Sequence, residues 1–250
     1  MILIKLGGSV LTDKEKSYSF RTRIAKRLLT EIDKSSIDKY IMIHGGGSFG
    51  HPGAKKYGLN TKISKNPAEG VSKVQLDMRR MNNHILELMQ DRGMWGVSVP
   101  GGLVTTFENG ELDKTDPTLF KRYLSLGLIP VSFGDVATDT ENGVTICSGD
   151  DLVLGLSELA DKAIFVSDVD GIYKNGEVVK IFDGEMLPLE EDDFPRVKDA
   201  VDVTGGMNKK VEKMINISEN CETHIVNGEE PGRVRKVLNG EEVLSTEVRS

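Results

Sequence analysis

A run of four glycines and two histidines, residues 44–51, directly follows the apolar segment 40–43. Such a segment is typical of a buried strand, and glycines at its end leave backbone N–H groups open to the close approach of a phosphate. Two more glycine turns have this character: 7–9 follows the apolar segment 2–6, and 204–207 precedes a helical pattern. Three such turns predict a chain that binds two phosphorylated ligands.

Strand-like segments alternate with helical patterns along the chain. Strands are predicted at 2–6, 40–43, 96–99, 128–132, 163–166 and 223–226, helices at 20–34 and 67–92, and hairpins around Asn109-Gly110 and Asn175-Gly176. This alternation predicts an α/β fold, an open αβα sandwich around a mainly parallel sheet. Gly, Asp or Asn follows each strand, at the edge where such sheets bind ligands.

The predicted helix over 67–92 carries an apolar stripe. Its members recur every three or four residues: Val71, Val74, Met78, Met81, Ile85 and Leu88. Such a stripe is typical of a core or of a subunit interface, and the wall of a ligand pocket is the alternative.

Composition excludes several classes of function. The formal net charge of -7 argues against nucleic acid as a partner. Cys147 and Cys221 form no CxxC pair, so we expect neither a disulfide framework nor a zinc site. No apolar segment approaches the roughly 18 residues of a membrane span. We therefore expect a cytoplasmic protein without a membrane partner.

Two lysines flank the first glycine turn. Lys5 lies within the predicted strand 2–6, where a buried ammonium needs a counter-charge, and a phosphate in the turn would supply one. Lys14 follows the turn. The alternatives are an edge-strand lysine that reaches water for Lys5 and a solvated loop for Lys14.

The run 45–50 also satisfies the dinucleotide fingerprint G-x-G-x-x-G. That fingerprint opens a helix, whereas His51-Pro52-Gly53 follows here, and no strand ending in an acid lies about 20 residues on. The P-loop pattern G-x-x-x-x-G-K-[ST] does not occur in the sequence. We therefore favour a phosphate turn of another kind.

Acidic residues occupy two further predicted strand or helix ends. Asp150 and Asp151 precede an apolar helical segment, where they either cap the helix or, in the case of Asp150, orient lysines or a metal. Asp168 and Asp170 follow the strand 163–166, in a plain turn or at a site for ribose or hydrated magnesium.

Lys210 lies in the first turn of the helix that Thr204 is expected to cap. A lysine there opposes the helix dipole unless an anion is bound as well. The alternative for Lys210 is a solvated face shared with Lys209 and Lys213.

Taken in order, these motifs resemble those of the amino acid kinase family. The matching segments are Lys5-Leu6-Gly7-Gly8-Ser9 with Lys14, the run 44–51, Ser148-Gly149-Asp150, the run 168–173, and the run 202–207 with Lys210. His51 resembles the histidine of the members that phosphorylate isopentenyl phosphate, because members acting on carboxylates or UMP generally lack it. After Tyr173 the chain departs from the family pattern, so the nucleotide-clamp residues there are not assigned.

The resemblance implies ATP and Mg²⁺ as cofactors, a homodimer, and a step of isoprenoid biosynthesis in a variant of the mevalonate pathway. It implies one domain over 1–250, with an acceptor lobe over about 1–140, a nucleotide lobe over about 141–250 and a boundary near 136–142. The implied ATP-binding residues are Lys5, Leu6, Gly7, Gly8, Ser9, Gly47, Asp168, Tyr173, Gly206 and Lys210. The implied acceptor residues are Gly46, His51 and Gly149, and the implied catalytic residues are Lys5, Lys14, His51, Asp150 and Lys210, with no protein ligand to a metal.

The implied acceptor suggests a mechanism. A phosphate monoester, with a second pKa of about 6, is mostly a dianion at neutral pH and needs no general base. We therefore expect lysines and Mg²⁺ to reduce the repulsion between anions, and His51 to donate a hydrogen bond to the acceptor phosphate. The alternatives are a histidine that only shapes its loop, a kinase for another phosphate or phosphonate such as fosfomycin, and a non-catalytic nucleotide sensor.

Overall fold

Helices and strands alternate through most of the chain. The structure, a computed structural model, describes residues 1–13, 15–59, 67–184 and 206–250. The helices are α1 Gly8–Leu11, α2 Thr22–Asp33, α3 Gly47–Tyr57, α4 Pro67–Gln90, α5 Gly101–Val104, α6 Thr118–Ser125, α7 Gly149–Leu156, α8 Gly206–Ser218 and α9 Arg233–Leu238. The strands are β1 Ile2–Leu6, β2 Tyr40–His44, β3 Gly96–Pro100, β4 Thr105–Glu108, β5 Glu111–Thr115, β6 Ile129–Phe133, β7 Asp135–Asp139, β8 Gly143–Cys147, β9 Lys162–Ser167, β10 Tyr173–Lys174, β11 Glu177–Val178, β12 Ile181–Asp183, β13 Glu222–Asn227 and β14 Ser245–Arg249. The strands and helices predicted from the sequence are confirmed.

The main sheet has eight strands in the order β12-β14-β13-β9-β1-β2-β6-β3. Its neighbours run parallel except β13 and β14, which are antiparallel. The prediction of a mainly parallel sheet is therefore confirmed. Because β1 pairs with β9 on one side and β2 on the other, Lys5 lies on an interior strand and not on an edge.

Strand β1 shows why helices cover both faces of the sheet. Ile4 and Leu6 belong to one core cluster, with side chains of α2, α4 and α9, whereas Leu3 belongs to a second cluster with α6, α7 and α8. All three side chains are buried. Alternate residues of a strand point to opposite faces, so a strand with buried apolar side chains on both faces needs a helical layer on each side. The αβα sandwich is confirmed.

The apolar stripe of α4 belongs mainly to the first core cluster. Val74, Met78, Met81 and Ile85 are buried there, whereas Val71 in the first turns of the helix is only partly buried. The core interpretation is confirmed for most of the stripe, and only its first turns are left for contact with a ligand.

A second sheet of four strands has the order β5-β4-β7-β8. The predicted hairpin at Asn109-Gly110 joins β4 and β5, and both residues have positive φ, +51° and +86°. The other predicted hairpin, β10–β11, is confirmed around Asn175-Gly176. The hairpin β7–β8 was not predicted: residues 136–142 lie in β7 and its turn. The division into two lobes stays a prediction.

Two observations concern the classes of protein considered above. Cys147 and Cys221 are buried free thiols. In the described ranges, no helix has both the length and the apolar character needed to cross a membrane.

Candidate active site

The turns that follow β1 and β2 touch each other through their backbones. A Cβ atom on Gly8 would lie 2.4 Å from the amide nitrogen of Gly47, and one on Gly45 would lie 2.9 Å from the amide nitrogen of Gly8. Because β1 and β2 are parallel neighbours, their carboxyl ends meet at one edge of the sheet. Only glycine fits at these positions, so two of the predicted phosphate turns are directly adjacent.

Hydrogen bonds fix the β1 turn between its neighbours. The Gly7 N–H donates to the Val166 carbonyl of β9 at 2.8 Å, and the Leu6 carbonyl accepts from the Gly45 N–H at 3.0 Å. Several N–H groups at the starts of α1 and α3 have no acceptor among the described residues, namely those of Gly8, Ser9, Gly46 and Gly47. Open N–H groups at helix starts are typical of an anion-binding site.

The glycine run 45–50 leads into a helix. The expectation that His51-Pro52-Gly53 prevents a helix there is wrong. Helix α3 begins at Gly47 and contains Pro52, whose nitrogen cannot donate to the Ser48 carbonyl four residues earlier. The Tyr18 N–H donates to that carbonyl instead, at 3.3 Å. A contact from a distant loop thus replaces the missing helical bond, which no local pattern around Pro52 could indicate.

One face of α3 consists of glycines that pack on α4. A Cβ atom on Gly50 would lie 2.8 Å from Met78 Sδ, and one on Gly53 would lie 2.8 Å from Val74 Cγ2. The missing side chains let the two helices approach closely, which fixes α3 against the long helix behind it.

His51 lies on a different face of α3. It is exposed and follows Gly47 by four residues. Residues four apart share a helix face, so His51 lies on the side of α3 that carries the contact with Gly8. Gly46 directly precedes the residue that makes this contact, and the approach of the His51 side chain to the donor turn stays a prediction.

The ammonium of Lys5 has a carboxylate as its counter-charge. Lys5 Nζ lies 2.7 Å from Asp150 Oδ1, and only 15% and 10% of the two side chains are exposed. Burial alone would raise the pKa of Asp150, but the charge of Lys5, helped by Lys210 and Lys213, holds this pKa below its ordinary value. Asp150 therefore orients a lysine, and its part in phosphoryl transfer stays a prediction.

The two neighbouring acids have different partners. Asp151 closes a capping box on α7: its N–H donates to Ser148 Oγ at 3.1 Å, and its carboxylate accepts from the Ser148 N–H at 2.8 Å. Asp151 also pairs with Lys213 of α8. The sequence left capping and lysine orientation open for this pair. In the structure Asp151 caps α7 and pairs with Lys213, whereas Asp150 pairs with Lys5. Gly149, the first residue of α7, would place a Cβ atom 3.5 Å from Lys5 Cε.

The turn after β9 lies beside the β1 turn. Ser9 Oγ donates to Asp168 Oδ1 at 2.7 Å, which joins the two turns directly. Asp170 accepts from Asn227 Nδ2 at 3.0 Å, from Arg233 and, at 3.4 Å, from the Tyr173 hydroxyl. The bonds from Asn227 and Arg233 hold the pKa of Asp170 below its ordinary value.

The third glycine turn is only partly described. Gly206 is the first residue of α8, and Lys210 lies on the same helix, partly buried and close enough to act on the charge of Asp150. Lys14, Thr204 and Gly205 lie outside the described residues. The structure therefore brings Lys5, the turn 7–9, Gly47, Gly149, Asp150 and Asp168 together around the end of β1. The places of His51, Tyr173 and Gly206 in the site stay predictions.

Sequence reasoning assigned no role to His44, which ends β2 just before the glycine run. The side chain is fully buried, stacks on Phe133 at 5.2 Å and contacts Asn82 Oδ1 through Nε2 at 3.3 Å. Burial lowers the pKa of His44 to about 4, so the imidazole is neutral at physiological pH. Its position at the last residue of an apolar strand was the available signal, since that strand is buried on both faces.

Two other polar contacts were also missed. Arg79 of α4 lies 3.3 Å from the fully buried carboxylate of Asp135, the first residue of β7. The hydroxyl of Tyr18 donates to Asp77 of α4 at 2.9 Å. Both carboxylates lie in segments whose sequence gives no sign of their distant partners.

The chain is similar to known proteins over nearly its full length. The model of the amino acid kinase family matches residues 1–227. An isopentenyl phosphate kinase from Methanocaldococcus jannaschii is 35% identical over 99% of this chain and 98% of its own, and one from Thermoplasma acidophilum is 34% identical over the full length of both chains. A crystal structure described as isopentenyl phosphate kinase superposes with a TM-score of 0.86 at 27% identity, covering 99% of each chain. By its motifs, its fold and these similarities, the chain belongs to the amino acid kinase family.

Proposed function

We propose that this protein is a kinase that transfers the γ-phosphoryl group of ATP to isopentenyl phosphate, forming isopentenyl diphosphate for isoprenoid biosynthesis. The observation that carries the proposal is the backbone contact between the turns after β1 and β2, where Gly8 and Gly47 meet. Two turns with open N–H groups, on neighbouring strands, suit two phosphate groups that must meet. The full-length similarity to isopentenyl phosphate kinases supports the choice of acceptor.

The donor phosphates of ATP are assigned to the turn 7–9 and the start of α8, with the nucleoside beside the turn after β9. Lys5 supports this assignment, because its ammonium lies at the carboxyl end of β1 and is oriented by Asp150. Lys210 acts on the same carboxylate from α8. Two lysines that share one counter-ion can reduce the charge that develops on a transferring phosphoryl group.

The acceptor phosphate is assigned to Gly46, His51 and Gly149. A phosphate monoester is largely dianionic at neutral pH, so its oxygen attacks without a base and His51 serves as a hydrogen-bond donor. The apolar tail would then extend toward the first turns of α4 and the segment 99–102, where Val71 is only partly buried.

Magnesium enters this reaction as part of the substrate MgATP. Mg²⁺ retains several waters and takes one or two carboxylates besides substrate phosphates. Among the described residues, no group of three or more potential protein ligands is present. We assign Mg²⁺ to the phosphates of the nucleotide, where it would neutralise their charge.

The test is ADP release from MgATP with isopentenyl phosphate, dimethylallyl phosphate, fosfomycin, UMP, glutamate and aspartate as parallel acceptors. We expect turnover with isopentenyl phosphate, and a loss of about 10²-fold in kcat/KM for His51→Ala, as for removal of one donor to a developing charge. The matched control is His224→Ala, since His224 lies on β13 and contacts Glu222. Turnover with UMP or an amino acid alone would reject this acceptor, and nucleotide binding without any turnover would favour a sensor.

We further propose a cytoplasmic homodimer. Exposed apolar side chains near edge strand β3 support self-association: Trp95, Leu103, Leu119 and Leu126 are 60%, 72%, 41% and 72% exposed. Sedimentation equilibrium would measure the mass, and a mass of one chain at micromolar concentration would reject the dimer.

A further inference from the structure

The loop between α1 and α2 closes over the start of α3. We call residues 12–13 and 15–20 the Tyr18 loop. Its base is closed by an antiparallel bridge between Thr12 and Phe20 and by the Asp13 N–H, which donates to the Ser19 carbonyl at 3.1 Å. The loop is thus a closed unit anchored beside the β1 turn.

Both ends of this loop bind Ser48, the second residue of α3. Thr12 Oγ1 accepts from the Ser48 N–H at 3.0 Å and donates to the Gly8 carbonyl at 2.6 Å. The Tyr18 N–H donates to the Ser48 carbonyl, and the Ser19 N–H donates to Ser48 Oγ at 3.1 Å. The Tyr18 loop therefore links the β1 turn to the first turn of α3.

The side chain of Tyr18 anchors the loop on α4. The Tyr18 hydroxyl donates to Asp77 Oδ2 at 2.9 Å, and the Asp77 side chain is fully buried. Lys73 and Arg80 also donate to this carboxylate, at 2.6 Å and 3.2 Å. A charge-assisted bond to a buried carboxylate is stronger than one between neutral groups and holds its donor in one place.

Tyr18 adopts an unusual backbone conformation for this contact. Its φ is +54°, in the left-handed region that non-glycine residues rarely occupy. Its ring packs edge-on against Phe49 of α3, with centroids 5.6 Å apart. Such a conformation persists only where the surroundings fix it, and here they are the Ser48 carbonyl, the Phe49 ring and the Asp77 carboxylate.

We propose that Tyr18 and Asp77 are positioning residues: their bond holds the first turn of α3, and with it the acceptor-phosphate turn, against the donor turn after β1. The inference rests on the proposed function, which assigns the turn after β1 to the donor phosphates and the turn after β2 to the acceptor phosphate. Tyr18 is assigned no contact with reacting atoms. Its effect passes through Ser48 to two residues assigned to the acceptor phosphate, Gly46 and His51, and to one assigned to ATP, Gly47. Loss of the bond should therefore affect the acceptor more than ATP.

The chain offers a matched control. Tyr57, the last residue of α3, donates to Glu69 in the first turn of α4 at 2.9 Å. A lysine lies 4.9 Å from the ring centroid of Tyr57, as one does for Tyr18. Tyr57→Phe therefore removes another tyrosine–carboxylate bond to α4, at the end of α3 remote from the glycine turns.

The experiment compares Tyr18→Phe, Tyr57→Phe and wild type in steady-state kinetics and in hydrogen exchange of the free protein. For Tyr18→Phe we expect KM for isopentenyl phosphate to rise about tenfold, KM for ATP to stay within twofold, and exchange of peptide 44–52 to accelerate at least fivefold. For Tyr57→Phe we expect all three quantities within twofold of wild type.

A merely structural role would lower the melting temperature and leave the KM values unchanged. Acceptor KM and exchange within twofold of wild type for Tyr18→Phe, or equal changes in both variants, would overturn the proposal. If wild type does not phosphorylate isopentenyl phosphate, the proposed function fails by itself, and the exchange of peptide 44–52 alone decides the role of Tyr18.

Discussion

Replacing Gly47 with alanine tests whether the two glycine turns must touch. A Cβ atom there would lie 2.7 Å from the Gly8 carbonyl oxygen, and 2.2 Å and 2.8 Å from Oγ1 and Cγ2 of Thr12. Rotation of Thr12 cannot relieve both of its contacts, and the Gly8 carbonyl is backbone. Gly47 also has a φ of +46°, which alanine disfavours.

The size of the effect follows from these contacts. The left-handed conformation costs alanine about 1–2 kcal/mol, and overpacking adds about 1–3 kcal/mol. To reach ordinary contact distance, the Gly8 turn must move by about 0.7 Å, and displacements of about 1 Å cost roughly 10²-fold in rate. We therefore expect Gly47→Ala to lower the free energy of unfolding by about 2–5 kcal/mol and kcat by one to two orders of magnitude.

The control is Gly110→Ala at the tip of the β4–β5 hairpin. Gly110 has a φ of +86°, and an added Cβ atom would meet nothing within 4 Å, so only the conformational cost of about 1–2 kcal/mol applies. Urea unfolding measures stability, and ADP release measures kcat. Equal loss of stability in the two variants, with the kcat of Gly47→Ala unchanged, would refute the argument from turn contact.

Three further predictions concern ionisable and capping groups. In Asp150→Asn, Lys5 loses its counter-charge, so we expect ADP release to fall at least tenfold. Because the pKa of Asp150 is depressed, its contribution to stability is present above the ordinary pKa of 3.8 and is lost below it. Between pH 5 and 2.5 the free energy of unfolding in urea should therefore fall less in the variant than in wild type. The depressed pKa of His44, about 4, predicts a wild-type unfolding free energy that falls by about 3 kcal/mol as the pH drops from 7 to 4, because the unfolded chain binds the proton from about 6.5 downward. His44→Asn should reduce this dependence, and an identical pH profile would contradict the assignment. Ser148→Ala removes the cap of α7 and should cost about 1 kcal/mol in urea unfolding, with less than 0.3 kcal/mol counting against the capping box.

Local sequence patterns predicted most of the fold for a physical reason. Strand β1 is apolar on both faces, and a strand of that kind is stable only between two helical layers. The glycines at 45–47 predicted the close approach of a phosphate at the end of β2, which stays a prediction. The structure shows that they also let the Gly8 backbone approach. The burial of β1 and the lack of room for side chains at 45–47 could thus be predicted without knowledge of the segments that pack there.

Features that depend on distant contacts could not be predicted in this way. From the sequence, Pro52 argues against a helix, because proline leaves the Ser48 carbonyl without a helical donor. In the structure the distant Tyr18 N–H supplies that donor. Asp150 and Asp151 are equivalent by position in the sequence, and only the places of Lys5 and Lys213 in the fold separate them. Sequence spacing carries no measure of such through-space distances.

The pairing of β1 with β2 has a consequence for how relatives of this enzyme could diverge. Hydrogen-bonded strands lie about 4.8 Å apart whatever side chains they carry, so the offset between the two glycine turns is a property of the peptide backbone. In-line transfer requires reacting atoms within about 3–3.5 Å, and the proposed offset is therefore inherited with the sheet. On the proposed assignment, acceptors with other tails would then require changes in α4 and in the segment 99–102, while the distance of phosphoryl transfer stays constant.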